Sequence, residues 1–523
     1  MLTSPVHRSS PVNATFPVNL AAAVRRRTLL RVVLVLTVVL CLLSLLPVPD
    51  SAQAAGPAKP YDFNGDGYAD LATGVPGDRV GRKDGAGAVN VLYGSAKGLT
   101  TKRAQLWSQG SPGVKGRPSS DESFGQVVTS GDFDCDGRAD LAVATQTKVA
   151  VLYGSRRGLT ARDQLISAGL GISGGSGRLV EQLTSGDFDR DGCHELAAAG
   201  EGVLAVIRGS ERGLRTPRRL TLPAAVAAAG SWYDGLTAGD LTGDGIADLV
   251  VGGADSPTRP GESARIVMIP GSASGLQPGR ARAYGPPPSP VPSDRGFFSH
   301  LYGASLAIGD FNGDRAPDLA IGDPGAGLEE YTNEVEDLLL CPGYDFCSGA
   351  VVVLLGTRQG LSSTGPLVWT EATLGREYQS GLGRALAAGD VNADGRDDLA
   401  VHEHWSVSVF AGTRTGLSAA GRRQWTWGSA GVKGRDADDL YGGAFGCGVV
   451  RLLDHGRGRA ADLSVGSQHY QESVGAVNVL YGSDRGITAG GDQLWQQSSR
   501  GVPGAARDGD HFGADRTCYI DEG

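Results

Sequence analysis

The chain alternates short apolar runs with polar, glycine-rich turns, in an order that repeats. Runs such as "VNVLY" at 89–93, "VAVLY" at 149–153 and "VVVLL" at 351–355 are too short for helices and rich in strand-forming residues. Each is followed by Gly-Ser or Gly-Thr and then Gly-Leu or Gly-Ile, as in "VNVLYGSAKGLT" from 89, "LAVIRGSERGLR" from 204 and "VSVFAGTRTGLS" from 407. Seven of these strand-turns occur. Before each comes a stretch with oxygen-bearing side chains at alternate positions, then a hydrophobic run. It reads "DFNGDGYADL" at 62, "DFDCDGRADL" at 132, "DFDRDGCHEL" at 187, "DLTGDGIADL" at 240, "DFNGDRAPDL" at 310 and "DVNADGRDDL" at 390. A degraded copy, "DHGRGRAADL", starts at 454.

Each unit reads as four strands: A before the acidic loop ("SFGQVVTSG", 123–131), B after it ("ADLATGV", 69–75), C the apolar run, and D after Gly-Leu. Strand D ends near Trp107, Trp369, Trp425 and Trp495. Repeats of 53 to 80 residues, each with four short antiparallel strands, predict an all-β fold, a seven-bladed β-propeller. The first unit has no strand A of its own. The last residues, "HFGADRTCYIDEG", have a strand-A pattern with no strand B after them. The C-terminal strand is therefore expected to complete the first blade, and losing 510–523 should open the ring.

Composition agrees. With 81 glycines and 26 prolines in 523 residues, about one residue in five breaks regular structure. Seven lysines against many arginines, with much alanine and glycine, suggest a GC-rich genome of actinobacterial character.

The acidic loops suit calcium, a hard cation that takes six to eight oxygens in a flexible cage. Positions 1, 3, 5 and 9 offer side-chain oxygens, and position 7 offers its carbonyl. The candidate ligands are Asp62, Asn64, Asp66, Tyr68 and Asp70; Asp132, Asp134, Asp136, Arg138 and Asp140; Asp187, Asp189, Asp191, Cys193 and Glu195. They continue with Asp240, Thr242, Asp244, Ile246 and Asp248; Asp310, Asn312, Asp314, Ala316 and Asp318; Asp390, Asn392, Asp394, Arg396 and Asp398. Six ions are expected. Thr242 is a weak ligand, and Arg315 replaces the turn glycine of its loop. In the seventh loop Gly456 and Gly458 lie between Asp454 and Asp462, so no ion is expected there. An EF-hand would need Glu at position 12, where Thr73, Val143 and Ala198 stand.

The loops, with Phe-Gly ahead of them (Phe124-Gly125, Phe445-Gly446, Phe512-Gly513) and "GVPG" at 74–77 or "GDPG" at 322–325 behind, resemble the FG-GAP/VCBS repeat. That repeat builds the N-terminal propeller of integrin α chains and occurs in secreted bacterial proteins. The resemblance covers 60–523 and implies structural calcium, with ligand binding on the face opposite the calcium loops. Two long loops, 285–296 and 327–347, should lie on that face. FG-GAP repeats also accompany a phospholipase D that cleaves GPI anchors, whose catalytic part lies outside the propeller. Calcium-bearing propellers occur among polysaccharide lyases.

Residues 1–54 read as an export signal: Arg25–Arg27, an apolar run from Val32 to Leu46, then Ala52-Gln53-Ala54. The remainder, 55–523, would be the propeller, with no membrane span after cleavage. Removing five arginines and one aspartate with the signal takes the net charge from −9 to −13, and no basic stripe remains, which speaks against nucleic acid. Six cysteines remain and suit an oxidising compartment. Cys135–Cys193, Cys341–Cys347 and Cys447–Cys518 are one of the possible pairings. His402-Glu403-His404 reads as a surface turn, and "GISGG" at 171–175 as a coincidental match to a hydrolase elbow. The tryptophans read as packing between blades. The expectation is a secreted, calcium-binding recognition or adhesion module, monomeric and not an enzyme. Its partner would be an extracellular protein or glycan. A lyase or phospholipase and a structural envelope protein are the alternatives.

Overall fold

The computed structural model describes residues 58–514 apart from 147, 167–179, 201, 224–231, 255–264, 289–300, 327–348, 363, 376–380, 404, 435–444 and 447. The chain divides between Ala55 and Gly56, and the first unit, with the expected export signal, lies outside the described residues. So do "GISGG", His404, the loop 327–347, most of the loop 285–296, and Cys341, Cys347, Cys447 and Cys518.

The second unit is a seven-bladed β-propeller. In blade 2, Val128–Gly131, Asp140–Ala144, Val149–Tyr153 and Thr160–Ile166 lie side by side in sequence order as strands A to D, all antiparallel. Blades 3 to 7 repeat this order. The two middle strands are buried along nearly their whole length: every residue of Leu71–Val75, Ala88–Tyr93, Asp140–Ala144 and Val149–Tyr153 is buried. Because side chains alternate across a strand, successive residues serve two interfaces. Leu71 joins the cluster between blades 7 and 1, and Ala72 the cluster between blades 1 and 2. The core is thus divided into seven clusters, one at each blade interface. That is how so long a chain remains one ring.

Strand A is shorter than the sequence pattern suggests. It starts at Val128, and Phe124-Gly125 turns out of the sheet to dock on blade 1. Phe124 is fully buried and donates its N–H to Ala86 O (3.1 Å). Gly125 takes φ +98°, and a Cβ on Gly74 of blade 1 would stand 2.0 Å from its carbonyl oxygen. Gly322 meets Gly383 in the same way between blades 5 and 6. The Phe-Gly pair and the later glycine are therefore two halves of one contact between neighbouring blades.

The ring closes by the same means. Gly466 of blade 7 approaches Gly513, while Gly513 donates its N–H to Gly74 O (3.1 Å) and Ala514 bridges Gly74 antiparallel. The C-terminal segment thus enters blade 1 as expected, and 515–523 lie outside the described residues. Tyr481 of blade 7 accepts the Leu99 N–H of blade 1 (3.2 Å) and hydrogen-bonds to Gln493, whose Nε2 donates to Leu99 O (3.0 Å). Tyr93 and Gln105 hold Leu159 of blade 2 in the same way. The four strand-D tryptophans pack at blade interfaces, Trp369 with its ring centroid 5.3 Å from that of Phe410.

His402 and Glu403 are buried at the end of strand B in blade 6, not on a surface turn. Strand B runs through Glu403, and the Ser408 hydroxyl hydrogen-bonds to the Glu403 carboxylate.

Tyr481→Phe removes the acceptor for Leu99 N–H at the closing interface. It should cost about 1–2 kcal/mol in denaturant unfolding. Tyr284→Phe, outside any such clamp, should change the midpoint little.

Candidate metal centres

The six intact loops share one hydrogen-bonding plan, varied in blades 3 and 4. The position-1 carboxylate accepts the N–H groups of positions 5 and 6: Asp66 and Gly67 on Asp62 (3.0 and 2.8 Å), Asp136 and Gly137 on Asp132 (3.0 and 2.9 Å), Asp244 and Gly245 on Asp240 (3.0 and 2.7 Å). Asp310 and Asp390 repeat this, and Asp187 accepts Gly192 N–H (3.1 Å). Position 5 accepts the N–H of position 7, as in Asp66 from Tyr68 and Asp394 from Arg396. Positions 4 and 6 both need positive φ. Glycine supplies it at Gly65 and Gly67, but Cys135 (60°), Arg190 (60°), Ala393 (57°) and Arg315 (70°) adopt it without that freedom. The turn is therefore strained at Arg315, as its replacement of glycine implied.

Position 9 has a role the sequence reading missed. Its two oxygens accept two backbone N–H groups, one from the start of its own loop and one from the glycine of the strand C–D turn. Asp70 takes Phe63 (3.0 Å) and Gly94 (2.9 Å); Asp140 takes Phe133 (2.8 Å) and Gly154 (2.8 Å); Asp318 takes Phe311 (3.0 Å) and Gly356 (2.7 Å). Glu195 and Asp398 make equivalent pairs, and Asp248 takes Gly271 with Thr242, one residue further along its loop. Asp462 in the degraded loop keeps the usual pair, holding His455 N–H (2.8 Å) and Gly482 N–H (2.9 Å). The signal was in the sequence. The acid and the Gly-Ser or Gly-Thr turn recur together in all seven units.

Burial pushes these acids up. Asp70 and Glu195 rise to about 8, Asp318 and Asp462 to about 7 and Asp398 to about 6, in each case chiefly through loss of solvation. Asp140 goes well above the usual carboxylate range for the same reason, with Asp134 adding like charge.

Two loops bring three carboxylates within 4.8 Å of one another: Asp132, Asp134 and Asp136 in blade 2, and Asp187, Asp189 and Glu195 in blade 3. Asp134 Oδ1 and Asp187 Oδ1 are buried and accept no hydrogen bond. A buried carboxylate oxygen with no donor calls for a cation, so these residues fit a divalent ion. Arginines supply part of the countercharge, Arg162 on Asp134 (2.7 Å) and Arg208 on Asp189 and Asp191 (2.6 and 3.0 Å). A disulfide between Cys135 and Cys193 ties these two loops together, as anticipated. In the seventh loop, His455 takes position 2 and is wholly buried. Its Nδ1–H donates to Ala69 O (2.8 Å), its Nε2 accepts from Ser464 (2.9 Å), and burial pushes it down to about 4. Arg457 reaches blade 1 at Lys97 O (2.9 Å) and lies 3.9 Å from the centre of the Tyr481 ring. This loop has become a joint between blades 7 and 1.

Models of known families match the chain as an FG-GAP-like repeat at 187–251 and as an FG-GAP repeat at 60–92, 302–335 and 382–406. The chain carries FG-GAP repeats on a seven-bladed β-propeller. It is 33% identical over 195 residues to the phosphatidylinositol-glycan-specific phospholipase D of Homo sapiens, covering 35% of this chain and 20% of that one. It is 34% identical over 116 residues to integrin alpha-7 of Rattus norvegicus, covering 22% of this chain and 9% of that one. The chain thus spans a fifth or less of the length of these relatives. Among solved structures, the Dos1 propeller aligns over 79% of this chain and 82% of its own, with 10% identity and a TM-score of 0.40, a likeness that carries no argument here. Among the described residues, no helix is long and apolar enough to cross a membrane.

Two outcomes follow. Asp462→Ala leaves two backbone N–H groups unpaired in a loop without the oxygens for an ion. It should cost about 3 kcal/mol whether or not divalent ions are present. The raised acids hold a proton in the folded state that they lose in the unfolded chain near the ordinary value. Their contribution is full below about pH 4 and is lost as pH rises through 6 to 8. In EDTA the melting temperature should therefore fall between pH 5 and pH 8. A rising profile would contradict this reading.

Proposed function

We propose that the protein is an exported recognition module whose acidic loops bind calcium as structural ions. The buried, donorless oxygens of Asp134 and Asp187 within their acidic clusters carry this reading. The other loops reuse the same fold with Asn64, Asn312, Asn392 or Thr242 at position 3, and so offer less charge. In a loaded site the position 1, 3, 5 and 9 side chains and the position-7 carbonyl hold the ion, and the ion supplies the charge that keeps position 9 ionised. Export is supported by the N-terminal arginines and apolar run and by the Cys135–Cys193 disulfide, a bond that persists in oxidising compartments. Recognition by the face opposite the loops rests on the partial likeness to integrin alpha-7. The likeness to a phospholipase D supports a second reading, phosphodiester hydrolysis of a glycolipid.

Calcium should raise the melting temperature by at least several degrees over EGTA, with up to six ions bound per chain. Asp134→Ala and Asp187→Ala should each remove about one ion. No shift and no bound calcium would sink the metal reading. Binding of surface proteins or glycans without product release separates recognition from hydrolysis.

A further inference from the structure

In three blades a tyrosine before the Gly-Ser turn closes the gap to the next blade, together with a glutamine of strand D. In blades 1, 2 and 7 the pair is Tyr93 with Gln105, Tyr153 with Gln164 and Tyr481 with Gln493. Gln105, Gln164 and Gln493 each donate to the carbonyl of the next blade's Gly-Leu. In blade 5 two leucines, Leu355 and Leu367, stand there and pack at the interface with blade 6. In blade 6 the pair is Ala411 and Arg423, the latter opposite Val409 as Gln105 is opposite Val91. Alanine is the smallest residue at this position in any blade.

A cavity of about 340 Å³ lies where the phenol is missing. Its walls are Val391, Val409, Ala411 and Trp425 of blade 6 and Ile487 of blade 7. Arg423, Arg485 and Asp484 stand at its polar side, with Asn392, Asp394 and Asp398 of the blade 6 acidic loop. Ile487 occupies the place of Leu99 and Leu159, whose N–H groups are held by tyrosines in the clamped interfaces. The tryptophan is altered too. Trp107 Nε1 donates to Gln105 (3.3 Å), whereas Trp425 has Arg423 in that place, which cannot accept. Trp425 Nε1 is buried and has no hydrogen-bond partner among the described residues, a state it shares with Trp495 Nε1 in blade 7.

We propose that this gap between blades 6 and 7 binds a uronic acid residue of an acidic glycan. The volume lies at the small end of ligand pockets and suits one ring. With calcium in the blade 6 loop taking up Asp394 and Asp398, the two guanidinium groups match a carboxylate, so the proposal rests on the calcium reading, which the ion count tests separately. The Trp425 N–H needs an acceptor, Asp484 accepts from ring hydroxyls, and the apolar wall of Val409, Ala411 and the indole takes a C–H face. An aryl carboxylate would fill the ring space but offer Asp484 no hydroxyl array. The site lies on the rim that bears the acidic loops, apart from the opposite face discussed above, and does not depend on recognition by that face.

The test titrates the full-length protein, in calcium, with D-galacturonate, D-galactose and 4-hydroxybenzoate, following saturation-transfer NMR and tryptophan emission. Galacturonate should bind saturably, and galactose at least about tenfold more weakly, the effect of losing one charged contact. Arg423→Gln should weaken galacturonate by a similar factor without lowering the melting temperature. The double variant Ala411→Tyr/Arg423→Gln rebuilds the clamp. It should abolish binding while keeping or raising the melting temperature, which separates loss of the site from loss of the fold. The proposal is overturned by absence of saturable galacturonate binding, by equal binding of galactose, by preference for 4-hydroxybenzoate, or by undiminished binding in the Arg423→Gln protein.

Discussion

A single carboxylate, at the ninth position of each acidic loop, holds two otherwise unrelated turns together. Its oxygens accept one N–H from the A–B loop and one from the C–D turn, on the same rim of the blade. Without it both turns would present buried amide groups with no partner, a cost no hydrophobic contact nearby could offset. The loop that lacks metal-binding oxygens has kept this acid and its two bonds. The bridging role is therefore separable from ion binding, and it accounts for the acid's presence in all seven units.

From that clamp the loops reach sideways. The N–H of position 8 donates to the position-1 carbonyl of the preceding blade: Ala139 to Asp62 (3.1 Å), His194 to Asp132 (2.7 Å), Ala247 to Asp187 (3.0 Å), Ala461 to Asp390 (2.7 Å) and Ala69 to Asp454 (2.7 Å). The last of these joins blade 7 to blade 1. Blade 5 has Pro317 at this position and so has no N–H to give. The rim is thus a belt of backbone hydrogen bonds, and an ion in any loop would brace the blade interface as well as the loop. The Cys135–Cys193 disulfide adds a covalent tie to the same belt where the acidic clusters are densest.

Strand number, blade count and closure could be read from the chain because each repeat carries its own complete pattern of apolar runs and turns. Some details could not. Phe124-Gly125 looked like the start of a strand, but Gly125 lies at positive φ and docks on Gly74, a contact between residues that no local pattern links. His402 and Glu403 looked exposed because they are polar and end a strand, yet both are buried, His402 against Gly446 of the next blade. Arg162 and Arg208 were unremarkable in the sequence. Only the fold sets them against Asp134 and Asp189.

The sequence by itself determined which atoms are available: oxygens at alternate positions, glycines where the backbone must turn, and a tyrosine, arginine, proline, leucine or alanine before each Gly-Ser or Gly-Thr turn. These are local properties, fixed by residue type and spacing. The tertiary structure decided what those atoms do. Whether a carboxylate meets two amides, a guanidinium or nothing depends on the neighbouring blade, which is distant in sequence. Ala411 shows the difference most directly. It is an ordinary small residue along the chain, and a cavity wall only because blade 7 stands where a phenol would otherwise reach.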